Sequence, residues 1–162
     1  MNGIECGVEG STIAEAFRVV GMASDTYGPT LNTGVSPGDI ETIGRAMADA
    51  LRGYRPAAVV IWNTSDEAVL AHVIARELDI SVVRAEQIEG VVVLHPDVAP
   101  GTEVALIATT WDRPEKVTTL QNLIATKQAD VTVVAAVLHT PALDTTAPLP
   151  TVCLTRSVDG QV

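Results

Sequence analysis

The sequence predicts one α/β domain in which a parallel sheet is flanked by helices. Two observations carry this. A continuous apolar run at 57–62 and another at 104–108 read as strands buried on both faces, and 131–138 reads as the last long strand. Between them lie stretches whose apolar residues recur at helical spacing. The order strand, helix, strand, strand, helix, strand then implies parallel pairing with right-handed crossovers.

The elements follow in order. A helix starts at Thr12, with Glu15 in the position of a capping box and Ile13, Ala16, Phe17 and Val20 on its apolar face. Residues 21–35, rich in Gly, Thr, Ser and Asn, read as loop or short edge strands. Ser36, Pro37 and Asp39 form a second helix start, and Ile40, Ile43, Met47, Ala50 and Leu51 continue it. Pro56 breaks that pattern before the strand 57–62. Ser65 is the expected cap of the next helix, whose stripe is Val69, Leu70, Val73, Ile74 and Leu78. Short strands at 81–84 and 90–94 lead to a turn at 96–101 and the strand 104–108. Asp112, Arg113, Pro114 and Glu115 start a helix with Val117, Leu120, Leu123 and Ile124 inward, Asp112 being the expected cap. After the strand 131–138, the proline-containing tail 140–150 reads as extended loop, and 151–154 as a short edge strand.

The chain has 162 residues, enough for a real core in one domain spanning 1–162. Aromatic residues make up only 3%, so that core is aliphatic. The formal charge of -10 argues against nucleic acid and anionic membranes as partners, because phosphates are held by Lys and Arg. Lys116 and Lys127 are the only lysines. Residues 1–11 lack the basic start and apolar run of a signal peptide, which makes the cytoplasm the expected compartment. There Cys6 and Cys153 are expected as reduced thiols. His72, His95 and His139 have no metal-ligand spacing, so no metal site is expected among them.

The framework resembles the type I phosphoribosyltransferases, the orotate enzymes in particular. The resemblance rests on Tyr27 to Leu31 in the place of an early hairpin, on Arg55 to Val60 entering the first strand, and on Ala75 to Ile80 before the second. It continues through Ile88-Glu89-Gly90 at the end of a hood segment and Pro100 to Val104 before the phosphate-binding strand. The resemblance implies a small, reduced hood from roughly 21–35, 84–90 and 140–156. It implies a homodimer, since sites of that family commonly lie near a subunit interface. It also implies a crevice for phosphoribosyl pyrophosphate with magnesium beyond the carboxyl ends of the strands.

The family's functional motifs are altered here. Thr109 and Thr110 stand where two acids would bind the ribose hydroxyls. Pro114 has no amide hydrogen to offer a phosphate, and Glu115 puts a negative charge at the helix N-terminus. The pyrophosphate loop reads Asn63-Thr64-Ser65-Asp66-Glu67, without glycine and with two acids. The segment 84–90 has neither the length nor the lysine of the family's catalytic loop. The expectation is a binding, regulatory or scaffold subunit without transferase activity, no catalytic residue and no cofactor. Its partner would be a second protein or a small planar ligand. The alternative is a divergent active phosphoribosyltransferase of orotate or nucleobase type, or another nucleotide or sugar-phosphate enzyme in the same crevice. The residues expected to line that crevice are Trp62, Asn63, Thr64, Ser65, Arg84, Thr109, Thr110, Trp111 and Lys116. Trp62 and Trp111, the only tryptophans, either fill the space a substrate would take or stack on a planar ligand.

Overall fold

The computed structural model describes residues 5–6 and 11–156. In chain order the elements are β1 (Glu5–Cys6), α1 (Ser11–Val20), β2 (Met22–Asp25), β3 (Gly28–Leu31), α2 (Pro37–Leu51), β4 (Ala58–Trp62) and α3 (Ser65–Leu78). They continue with β5 (Ser81–Ile88), β6 (Val91–His95), β7 (Glu103–Ala108), α4 (Pro114–Thr126), β8 (Asp130–Leu138), α5 (Pro141–Asp144) and β9 (Thr151–Thr155). Among the described residues the main sheet runs β1-β9-β8-β7-β4-β5-β6, and β2 and β3 form a separate antiparallel hairpin. All pairs of the main sheet are parallel except β5 with β6.

Strand alternation divides the core into two layers. Val59, Ile61, Ala105, Ile107, Val133 and Ala135 face α1, α2 and α3. Ala58, Val60, Trp62, Val104, Leu106, Ala108, Val134 and Ala136 face α4 and the short α5. This is why the central strands read as unbroken apolar runs: both of their faces are covered. Helices α2 and α3 approach closely at Gly44, where a Cβ would stand 2.4 Å from Val73 Cγ1.

Several expectations are corrected. The cap of α3 is Thr64, whose hydroxyl accepts a hydrogen bond from Glu67 N at 3.0 Å, and Ser65 is exposed in the first turn. Asp112 does not cap α4. Arg113 holds the N-cap position without a side-chain bond, and Asp112 pairs with Lys116 instead. Val69 is 44% exposed, because the sheet-facing stripe of α3 passes through Leu70, Val73 and Ile74. The tail is not wholly extended, since Pro141–Asp144 forms a helical turn. Strand β9 lies between β8 and β1 rather than at the edge. Residues 84–88 and 91–95 form one antiparallel hairpin that continues the main sheet. Cys153 is disulfide-bonded, not a reduced thiol; the backbone register sets Cys6 of β1 beside it. Among the described residues no helix is long and apolar enough to cross a membrane.

Candidate functional site

Adjacent parallel strands β4 and β7 end side by side, and their carboxyl ends open toward the starts of α3 and α4. In such sheets this is where ligands bind. Here the β2–β3 hairpin lies across the opening, and three elements of the main body hold it. The first is α3: Asp66 accepts hydrogen bonds from Thr30 Oγ1 at 3.2 Å, from Thr33 N at 3.1 Å and from Thr33 Oγ1. The second is the segment after β7, where Thr109 Oγ1 accepts from Leu31 N at 3.2 Å. The third is α4, where Lys116 Nζ donates to the Tyr27 carbonyl and to Asp112 Oδ1, the latter at 2.7 Å. Tyr27 also reaches β5, its hydroxyl accepting from Gln87 N at 2.9 Å. Gly28, at φ +123°, allows this approach, for a Cβ there would meet Lys116 Nζ at 2.9 Å.

Beneath the hairpin remains a cavity of about 20 Å³, lined by Tyr27, Trp62, Trp111, Glu67, Thr110 and Lys116 among others. That is room for about one water-sized group. Trp111 is 1% exposed, and its indole N–H donates to Ala135 O at 3.0 Å. Trp62 is also buried; its ring packs against Tyr27 with centroids 5.0 Å apart, and its N–H donates to Lys116 O at 3.3 Å. Each indole thus has the polar partner that its burial requires. Outside lies a depression of about 280 Å³, lined by Gln87, Val92, Arg113, Glu115 and Thr119. Tyr27, Trp62 and Lys116 line both spaces and form the partition between them.

Glu67 dominates the electrostatics. It is 5% exposed, and its two carboxylate oxygens accept from Thr109 N at 2.9 and 3.1 Å. Burial pushes its carboxyl up to about 7; hydrogen bonds from Thr109 oppose that rise, and the neighbouring charge of Asp66 adds to it. Close by, Thr110 Oγ1 is a buried side-chain oxygen without a hydrogen-bond partner among the described residues.

Of the nine residues expected at the crevice, Trp62, Thr64, Thr110, Trp111 and Lys116 line the inner cavity. Thr109 is buried next to it and is occupied by Leu31 and Glu67. Asn63 is half-buried, and its N–H donates to Ala85 O. Ser65 and Arg84 are exposed and line neither space. Tyr27 and Glu67 line the inner cavity as well: the sequence placed Tyr27 in the early hairpin and Glu67 in the altered loop after the first strand, but put neither among the residues lining the crevice. For Glu67 the signal was its place in the acidic segment 63–67 at the strand end, which gives no hint that the helix turns it inward. A magnesium–pyrophosphate group does not fit this donor set. Thr109 and Thr110 supply no charge, and the cavity leaves room for only about one water-sized group beside Glu67. No cluster of three or more His, Cys, Asp or Glu suited to a metal occurs among the described residues.

No protein-family model and no curated protein matches the sequence. Solved structures do match. Adenine phosphoribosyltransferase from Thermoanaerobacter pseudethanolicus superposes with a TM-score of 0.71 at 10% identity, over 88% of this chain and 98% of that one. The adenine enzyme from Trypanosoma brucei, solved with AMP, pyrophosphate and ribose-5-phosphate, gives 0.68 at 14% identity over 94% and 82%. Purine phosphoribosyltransferase from Pyrococcus horikoshii gives 0.58 at 15% identity over 75% and 85%. These likenesses, with the sheet order and the covering hairpin, establish that the chain carries the fold of the type I phosphoribosyltransferases.

Proposed function

We propose that this domain is a phosphoribosyltransferase-fold binding or regulatory subunit that does not transfer from phosphoribosyl pyrophosphate. The observation that carries the reading is the closed and acid-faced crevice. About 20 Å³ remains where a ribose and three phosphates would need several hundred, and the buried charge-bearing group there is Glu67. A diphosphate would have to displace two buried rings and settle beside a carboxyl, at a cost no unpaired cation of the inner cavity offsets: its one cation, Lys116, is held by Asp112 and Tyr27. The orotate-type ancestry suggested by the sequence and a homodimeric assembly are part of this proposal. Size-exclusion chromatography with light scattering tests the second.

One finding favours another reading. The similar solved structures are adenine and purine enzymes, which makes a divergent nucleobase transferase using phosphoribosyl pyrophosphate and magnesium the rival. Calorimetric titration with phosphoribosyl pyrophosphate and magnesium separates the two, together with a pyrophosphate-release assay on adenine, hypoxanthine, guanine and orotate. The proposal expects no saturable heat and no release. Micromolar binding with turnover of any base establishes the rival.

A further inference from the structure

Three rings, one carboxylate and unsatisfied hydroxyl chemistry meet in one small space. Tyr27, Trp62 and Trp111 line the inner cavity, and Glu67 and Thr110 share its wall. Among the described residues Glu67 forms no ion pair, although it is 5% exposed. A buried carboxylate without a countercharge is costly, and the same site would favour any cation that reached it. Aromatic faces attract cations as well, through their ring quadrupoles. The net charge of -10 draws cations toward the domain at long range. Each of these effects opposes an anion.

The cavity's one cation, Lys116, reads as a tethered occupant of the mouth. Its ammonium is held at the hairpin by the Tyr27 carbonyl and Asp112, and with Tyr27 and Trp62 its side chain lines both the inner cavity and the outer depression. If Lys116 swings out, the two spaces join. The inner end then offers Glu67 and Thr110 Oγ1 to one water-sized group, and the outer 280 Å³ accepts a short apolar body against Tyr27 and Trp62. We propose that the crevice is a binding site for a small organic ammonium, its charged head directed to Glu67 and Thr110 inside the three rings and its body in the outer depression, with Lys116 as the displaceable internal competitor. This rests on the reading that the crevice no longer takes a diphosphate.

The test uses butylammonium as the probe, with butanol and butyrate as its neutral and anionic counterparts, followed by calorimetry and by tryptophan fluorescence. Saturable binding of butylammonium to the wild-type protein, and none of butyrate, is expected. Lys116→Met should bind it more tightly. Glu67→Gln should weaken it about tenfold or more, as expected for losing a charged hydrogen-bond partner. Thr110→Val, a smaller change within the same wall, should weaken it less. Wild type needs no substitution to be judged: equal binding of butanol and butylammonium overturns the proposal. So does the absence of butylammonium binding to both wild type and Lys116→Met, or binding unchanged in both Glu67→Gln and Thr110→Val. A parallel titration with phosphoribosyl pyrophosphate and magnesium keeps the failures distinct. Binding there overturns the reading of the crevice itself, whereas silence in both titrations overturns only the ammonium assignment.

Discussion

Replacing Glu67 by Gln should remove a pH dependence of stability that the wild-type fold carries. The carboxyl is raised to about 7 in the folded chain, against an ordinary value of 4.5. Below the lower value it is protonated whether the chain is folded or not, and its contribution to stability is fully present. As the pH rises from there, the unfolded chain releases the proton while the folded chain holds it, so stability falls, and it levels off above the folded value. One unit of pKa difference corresponds to about 1.4 kcal/mol, so the loss between pH 4.5 and 8 is on the order of 3 kcal/mol. Gln imitates the protonated acid. Its carbonyl can accept from Thr109 N, as the Glu67 carboxyl does. Urea denaturation at pH 5 and pH 8 measures the effect. The midpoint of the wild-type protein should drop at pH 8, and that of Glu67→Gln should drop less, by the amount assigned to this one group. Surface carboxylates such as the half-buried Glu41 and the exposed Asp97, held low by Arg76 and Lys127, contribute an opposite trend that both proteins share and that cancels in the comparison. An identical pH trend in both proteins would refute the account of Glu67. So would a variant less stable than wild type at pH 8.

Four further outcomes are expected. Trp111→Ala removes a ring that is 1% exposed and its bond to Ala135 O, and should cost roughly 3–5 kcal/mol in chemical denaturation. Thr64→Ala should cost about 1 kcal/mol as the loss of a helix cap, whereas Ser65→Ala should fall within experimental error. Gly44→Ala should destabilise by about 1–3 kcal/mol despite alanine's better helix propensity, because its Cβ would collide with Val73; a rise in melting temperature would contradict the close packing of α2 on α3. Asp66→Ala removes three bonds that hold the hairpin, and should raise acrylamide quenching of the Trp62 and Trp111 emission without unfolding the sheet, as checked by circular dichroism.

What the sequence by itself determined is the framework. Apolar runs at β4, β7 and β8 announce strands covered on both faces, and the stripes of α1, α2 and α4 fix which sides face the sheet, because those signals are local and repeat with the period of each element. The residues that make up the loops after β4 and β7 were legible too, since they are a matter of residue identity. The filling of the strand-end space by Trp62 and Trp111 was one of the two readings the sequence offered, whereas the closing of the crevice by the hairpin was not legible. It depends on where the Tyr27 hairpin settles, and that is set by contacts 33 to 89 residues apart in sequence, such as Asp66 with Thr33 and Lys116 with Tyr27. Capping chemistry failed for a related reason. Asp112 has the composition of a cap, yet Lys116 one turn later takes it as an ion-pair partner once the hairpin brings a carbonyl to the same ammonium. Glu67 shows the limit most sharply. At a helix start a glutamate ordinarily faces water, and only the packing of α3 against the end of β7 buries this one, binds it to Thr109 and lifts its carboxyl toward neutrality. Charge in a sequence is a local fact, but the dielectric around it is a property of the assembled fold.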